Sequence, residues 1–287
     1  MVPRYAFAWS GRLWPTRICI CPGPALNHAQ LMPVVFVGHG NPMNAVTPSR
    51  YGDAWAELAR AMPKPKAIVC VSAHWYVRGT KVTAMERPET IHDFGGFPKE
   101  LFEVQYPAPG EPQLARQIAD LLKATPVELD EESWGLDHGT WSVLVHMYPE
   151  AVVPVVQLSI DRREPALFHY ELGSRLSALR EEGVLILASG NLVHNLHAYS
   201  WGAREEMAFD WAREFESLAK ELLASHNHEP LIAYETLGRA ADLSIPTPDH
   251  YLPFLYAISL CRGGESLSYP VDGFDGGSIS MLSIRIG

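Results

Sequence analysis

The sequence predicts an α/β fold with a central, mostly parallel or mixed sheet that helices cover on both faces. Short apolar runs rich in β-branched residues, such as 34–37 and 184–188, are typical of buried strands. Amphipathic stretches with helical spacing, such as 112–124 and 207–224, separate these runs along the chain. Because strands alternate with helices, we expect one three-layer domain.

The apolar runs give the predicted strands in order. They lie at 34–37, 67–72, 80–85, 152–160, 184–188 and 279–286. The first run ends at Gly38, Gly40 and Pro42, and the second leads to His74. The carboxyl ends of such strands are where open α/β sheets place ligands.

Helical spacing of apolar residues gives the predicted helices. They lie at 51–62, 112–124, 164–180, 207–224 and 247–260, with another directly after His138. Pro63 and Pro65 end the first of them. The last is expected to have His250 near its start and Thr247 or Asp249 as its cap. The stretch 91–109 is rich in Gly, Pro and aromatic residues, which favours an ordered functional loop.

Composition excludes several classes of protein. The chain has 287 residues, 47% of them apolar, and a formal net charge of −10, which argues against a general binder of nucleic acid or membrane surfaces. No apolar run approaches the roughly 20 residues of a membrane span. The pair Cys19-x-Cys21 has neither zinc nor redox spacing, and few cysteines favour a reduced, cytoplasmic setting.

Residues 1–31 differ in character from the rest of the chain, with scattered Trp and Pro and no clear period. Arg12 and Arg17 interrupt every candidate for the apolar centre of a secretory signal. We expect an N-terminal extension that is either translated from an early start codon or packed on the domain. Residues 32–287 are expected to form a single domain, without an internal repeat or a low-complexity linker.

Five histidines stand at breaks between an apolar element and a turn rich in Gly, Pro or Asn. They are His39, His74, His138, His194 and His250. Two buried strands that each deliver an imidazole suggest a shared metal site, and the alternative is that these histidines cap elements and bond to backbone. The sequence lacks the G-x-S-x-G, H-E-x-x-H, P-loop and G-x-G-x-x-G motifs of other enzyme classes.

Longer strings carry a resemblance to a known family. They are GHGNPMN at 38–44, SAHW at 72–75, IHDFGGFP at 91–98, YPAPG at 106–110, WGLDHGTW at 134–141, SGNLVHNL at 189–196 and PTPDHYLP at 246–253. Together they resemble the 4,5-DOPA extradiol dioxygenase family. This family belongs to the class III extradiol ring-cleaving dioxygenases, with the protocatechuate 4,5-dioxygenase catalytic subunit as a relative.

The resemblance implies a metal-dependent enzyme that inserts both atoms of O2 into a catechol such as L-DOPA, giving a muconate semialdehyde. It implies one divalent metal held by His39, His74 and His250, with His194 as a fourth ligand or as the acid/base. His138 is expected to bond substrate or oxygen. The metal is Fe(II) for turnover, although an all-histidine site also suits Zn(II).

Further roles are assigned from residue type alone. Asn191 and Asn195 are candidates to orient the imidazoles. The candidates to line the pocket around the substrate ring are Phe94, Phe97 and Tyr106. The candidates to bind an amino acid carboxylate are Arg78, Lys81, Arg162 and Arg163.

Two other functions stay open at this point: a zinc-dependent hydrolase, and a protein that binds metal or catechol without turnover. The expected partners are a small catechol and O2, with no nucleic acid and no membrane. The sequence does not specify the oligomeric state.

Overall fold

A computed structural model describes residues 31–202 and 207–287 of the chain. The strands are β1 Val34–Gly38, β2 Ala67–Val77, β3 Thr80–Thr83, β4 Val127–Asp130, β5 Val155–Asp161, β6 Val184–Gly190, β7 Leu267–Val271, β8 Phe274–Asp275, β9 Ile279–Ser280 and β10 Ser283–Ile286.

The helices of the described residues lie between these strands. They are α1 Arg50–Arg60, α2 Lys99–Phe102, α3 Pro112–Leu121, α4 His138–Met147, α5 Ala166–Ser174, α6 Ser177–Glu181, α7 Asp210–Ala224, α8 Glu229–Ile232, α9 Arg239–Ser244 and α10 Leu252–Ile258. No helix in this part of the chain is long and apolar enough to cross a membrane.

Eight strands form one mixed sheet in the order β4-β3-β5-β2-β6-β1-β10-β7. The four central strands, β5, β2, β6 and β1, are parallel to one another. The antiparallel contacts lie towards the edges, where β3 joins β5, and β10 joins β1 and β7. The carboxyl ends of the central strands therefore meet at one edge of the sheet.

The side chains of the central strands alternate between two apolar cores, as the period of two in a strand requires. Val34 and Phe36 belong to the core on one face, which also contains residues of α5, α7 and α10. Val35 and Val37 belong to the core on the other face, which also contains residues of α1 and α4. The predicted α/β class, with a mixed sheet and helices on both faces, is confirmed.

Two predicted elements are each divided in two. The predicted helix 164–180 forms α5 and α6, because the chain tightens between them, where the amides of Arg175 and Leu176 bond to carbonyls only three residues earlier. The predicted strand 279–286 forms β9, which pairs with β8, and β10, which joins the large sheet.

The boundaries of two further elements were predicted wrongly. The strand expected to stop at 72 continues to Val77, so His74 lies inside β2. The helix expected to begin near His250 begins at Leu252, with Tyr251 in the capping position and no side-chain cap. Asp249 does not cap it because its carboxylate bonds to the His250 ring.

The N-terminal extension at 1–31 stays a prediction, because residues 1–30, including Cys19 and Cys21, lie outside the described residues. The assignment of 32–287 to one catalytic domain likewise stays a prediction.

Candidate metal centre

His39 and His74 reach the site from two strands of the parallel centre. His39 directly follows β1, and its backbone amide donates to the Gly190 carbonyl at the end of β6 over 3.0 Å. His74 lies in β2 where the register with β5 shifts between Val71 and Tyr76. Such an irregularity re-aims side chains, and here it accompanies an imidazole at the sheet edge.

His194 and His250 come from the segments after β6 and before α10. The Asn191 amide donates to the His250 carbonyl over 2.9 Å, which ties the two segments together. Gly190 permits this contact, because a Cβ on it would lie 2.2 Å from the same carbonyl oxygen. The rings of His194 and His250 stack in parallel, 3.5 Å apart at their centres.

His138 is the first residue of α4, and two carboxylates fix its position. The Asp137 side chain caps the helix by accepting from the Thr140 amide. Asp93 accepts from the His138 backbone amide over 2.9 Å, and its other oxygen lies 3.0 Å from His138 Nδ1. Burial acts to raise the pKa of Asp93, but the adjoining His138 outweighs burial and lowers it.

Three of the rings form a nearly equilateral triangle. The ring centres of His39 and His74 are 5.0 Å apart, those of His39 and His250 are 5.3 Å apart, and those of His74 and His250 are 5.1 Å apart. Three imidazoles bound to one tetrahedral metal at about 2.0–2.1 Å should have ring centres roughly 5 Å apart. The triangle therefore has the dimensions of a three-histidine metal site.

A different set of three histidines is closest together when the distances between ring nitrogens are compared instead of those between ring centres. One ring nitrogen each from His39, His74 and His138 lies within 4.8 Å of the others. The His74 and His138 ring centres, however, are 3.7 Å apart, closer than two neighbouring positions of a tetrahedral site allow.

Hydrogen bonds fix the tautomers of His39 and His250. The Ser189 hydroxyl donates its single hydrogen to the Gly139 carbonyl over 2.5 Å, so it accepts from His39 Nδ1, which lies 3.0 Å away. The His250 Nδ1 donates to the Asp249 carboxylate. The His74 Nδ1 lies 3.5 Å from an oxygen of Asp93.

Each ring of the triangle thus has an oxygen beside Nδ1, which leaves the Nε2 lone pair for a metal. The Nε2 atoms of His39 and His74 are 3.1 Å apart, directed at the same space. An oxygen partner on the second nitrogen is the usual support of a metal-bound histidine. Burial lowers the pKa values of His39 and His74 well below the ordinary value, and neighbouring histidines add to this shift, so both rings are neutral. These residues fit a divalent metal.

His194 differs from the triangle. Within the described part of the chain, no protein group bonds to its ring nitrogens, and its backbone amide donates to the Ser244 carbonyl over 2.9 Å. Burial, with a further contribution from His250, lowers the pKa of His194 to about 2. The neutral ring has free nitrogens that can accept a hydrogen bond from a ligand in the cavity.

The histidines open into a cavity of about 400 Å³. Its described lining residues are His39, Gly40, Asn41, Pro42, His74, Phe94, Phe97, His138, His194, Leu196, Tyr199, Trp201, His250, Asp275 and Ile279. All five histidines predicted from the sequence therefore come together. The cavity is large enough for a small aromatic molecule.

Some expectations about the surroundings are wrong. Phe94 and Phe97 line the cavity, but Tyr106 is buried in the core, where its hydroxyl donates to the Tyr148 carbonyl. The Asn191 side-chain amide donates to the Ser280 carbonyl, and that of Asn195 donates to the Leu243 carbonyl. Both side chains therefore bond to the backbone and not to the imidazoles.

The four predicted cations also lie elsewhere. None of Arg78, Lys81, Arg162 and Arg163 is among the described residues that line the cavity. Lys81 pairs with Glu128 and Arg163 with Asp161, both at the β3 side of the sheet.

Sequence reasoning missed Asp93, Ser189, Tyr199 and Asp275. Asp93 and Ser189 lie inside the family-like strings IHDFGGFP and SGNLVHNL, so the strings mark their segments without indicating their partners. No feature of the sequence distinguishes Tyr199 or Asp275.

Comparisons with known proteins identify the family of the chain. Residues 36–260 match the model of the catalytic LigB subunit of aromatic ring-opening dioxygenase. A 4,5-DOPA dioxygenase extradiol of Escherichia coli K12 is 49% identical over 89% of this chain and 95% of its own length. One from Beta vulgaris is 36% identical over 87% of this chain and 94% of its own length.

A solved structure shares the fold. The crystal structure of an uncharacterized protein from Escherichia coli K12 has a TM-score of 0.78 and 45% identity, covering 89% of this chain and 100% of that chain. The family resemblance drawn from the sequence strings is thereby confirmed. The chain belongs to the family of catalytic LigB subunits of aromatic ring-opening dioxygenases, and it is an extradiol dioxygenase.

Proposed function

We propose that this dioxygenase is metal-dependent and cleaves a catechol such as L-DOPA outside its two hydroxyls, giving a muconate semialdehyde. The observation that carries the proposal is the triangle of His39, His74 and His250, whose three rings line one cavity. The names of the relatives supply the reaction and the DOPA substrate.

We assign the metal to His39, His74 and His250. The fourth histidine, His194, is better placed beside the metal than on it, because its ring stacks on His250 at 3.5 Å instead of taking a further position about 5 Å away. Fe(II) is the metal proposed for turnover, since a redox-active ion with open positions supplies the electron transfer between catechol and O2 that zinc cannot.

The protein's own groups hold the substrate and move protons. Phe94 and Phe97 line the cavity and leave an apolar slot for the ring. His194 accepts a proton from a catechol hydroxyl and returns it later in the reaction. His138 packs against His74 with Nδ1 beside Asp93, so its other ring nitrogen can hydrogen-bond the substrate or oxygen.

Oxygen uptake tests this proposal. Protein loaded with Fe(II) without air and then mixed with L-DOPA in air should consume one O2 for each catechol and give the yellow absorbance of a semialdehyde. Zinc-loaded protein is the control and should consume none. Uptake without ring cleavage, or no uptake from protein shown to contain iron, would contradict the proposal.

An all-histidine site also suits catalytic zinc, so a zinc hydrolase is the second candidate. It requires that zinc-loaded protein hydrolyse esters or amides at a rate that does not change when oxygen is removed.

A further inference from the structure

The cavity has a second polar end, formed by Tyr199 and Asp275 and separate from the histidines. Asp275 ends β8 and pairs with Ile279 of β9, and Ile279 in turn pairs with His194. Since neighbouring strands lie about 5 Å apart, the backbone of Asp275 is roughly 10 Å from that of His194. Asp275 therefore lies within reach of a ring substituent on a catechol that is held at the histidines.

One hydrogen bond fixes the Asp275 carboxylate beside the cavity. The Tyr199 hydroxyl donates to a carboxylate oxygen of Asp275 over 2.9 Å. Both residues line the cavity. A carboxylate has about four lone-pair sites, so acceptor positions of Asp275 remain for a ligand.

The backbone around Asp275 holds this arrangement in place. Gly276 and Gly277 have φ values of +56° and +75°, and the Ser278 amide donates back to the Asp275 carbonyl. A Cβ on Gly276 would lie 2.2 Å from the Tyr199 ring, so the ring rests directly on the glycine. The Ser200 amide also donates to the Gly276 carbonyl. These contacts hold Tyr199 and Asp275 in fixed positions relative to each other.

The surroundings favour a cation. Trp201 lies edge-on to Tyr199, with ring centres 4.9 Å apart, and both line the cavity. Aromatic rings beside a carboxylate attract an ammonium group. No lysine or arginine is found among the described residues of the lining, so the described wall supplies no cation for an anionic substituent.

We propose that Asp275, positioned by Tyr199, binds the side-chain ammonium of the substrate and selects catechols that carry an aminoalkyl arm. This inference rests on the proposed function and names the substrate class within it. A primary ammonium brings three N–H donors and a positive charge to the open acceptor positions of Asp275. The carboxylate of an amino acid substrate is not needed for this recognition.

The test compares three catechols that differ only in the arm: 4-(2-aminoethyl)catechol, the neutral 4-ethylcatechol, and the anionic 3-(3,4-dihydroxyphenyl)propanoate. Iron-loaded protein should show kcat/KM for the amine at least about tenfold above that for the neutral catechol, the effect of one charge-assisted hydrogen bond. The propanoate should be the poorest substrate. Asp275→Asn should reduce the tenfold ratio to below about twofold.

Asp272→Asn is the matched control, because Asp272 pairs with Lys220 and does not line the cavity. It should keep the ratio of the unmodified protein. High salt should lower the ratio in the unmodified protein and leave it unchanged in Asp275→Asn, since salt screens a charge–charge contact.

A second readout does not need turnover. Zinc-loaded protein titrated with the same catechols without oxygen should bind the amine about tenfold more tightly than 4-ethylcatechol, and Asp275→Asn should remove the difference. Equal affinities in the unmodified protein, or a preference that survives Asp275→Asn, would overturn the inference. A retained binding preference together with no oxygen uptake by iron-loaded protein would instead contradict the proposed function alone.

Discussion

Ser189 shows how one hydroxyl sets the tautomer of His39, a proposed metal ligand. Its hydrogen goes to the Gly139 carbonyl, so the hydroxyl oxygen can only accept from His39 Nδ1. The other ring nitrogen is then left without a proton and faces the cavity. Asp249 acts in the same way on His250.

Ser189→Ala should therefore weaken metal binding about tenfold or more, the usual cost of losing the oxygen behind a metal-bound histidine. The cause is that His39 can then place its proton on either nitrogen. Competition with a calibrated chelator measures the change. Ser142→Ala is the control, because the buried Ser142 hydroxyl has no partner in the described structure. An unchanged metal affinity in Ser189→Ala would show that the hydroxyl does not set the tautomer.

At the scale of elements, the end of β6 is where two histidine segments meet. The Gly190 carbonyl accepts from the His39 amide, and the next residue donates to the His250 carbonyl. There is no room for a side chain, since a Cβ on Gly190 would lie 2.2 Å from the His250 oxygen. The strand end therefore fixes the spacing of the two histidines through backbone contacts.

Gly190→Ala should push the His250 segment away from β6. We expect a loss of roughly 1–3 kcal/mol in the free energy of unfolding, as for other overpacked sites, together with weaker metal binding. Urea unfolding and chelator competition measure the two effects. Gly263→Ala, where a Cβ meets nothing within 4 Å, is the control and should change neither. Full metal affinity in Gly190→Ala would mean that this contact does not position His250.

The elements also show what sequence could and could not predict. Buried strands give strong local signals, so the positions of β1 and β6 and the histidines that follow them were predicted correctly. The start of α10 was not, because the Asp249 carboxylate that looked like a cap is used by the His250 ring. Asp93 and Asp275 were missed because their partners, His138 and Tyr199, lie 45 and 76 residues away along the chain.

At the scale of the whole molecule, the buried His169 makes stability depend on pH away from the site. Its Nδ1 lies 3.0 Å from the Tyr256 hydroxyl, and burial lowers its pKa from 6.5 to about 4. Between these values the unfolded chain binds a proton that the folded chain does not. The free energy of unfolding therefore falls as the pH falls through this window.

We expect this one group to remove up to about 3 kcal/mol of stability between pH 6.5 and pH 4. Urea unfolding of metal-free protein at several pH values, with His169→Gln alongside, measures it. The site histidines are present in both proteins, so their contribution cancels in the difference. The difference between the two proteins should shrink as the pH falls, and a constant difference would show that His169 does not titrate in this way.

We propose that His39, His74 and His250 hold the metal, while His138 and His194 lie beside it. The most direct measurement is the metal content per chain of the five single alanine variants, each loaded with one equivalent of metal and then desalted. We expect little metal in the variants of the first three residues and close to one ion per chain in the variants of the other two. Retained metal in His250→Ala together with lost metal in His138→Ala would contradict it, and would assign the site to the trio with the closest nitrogens instead.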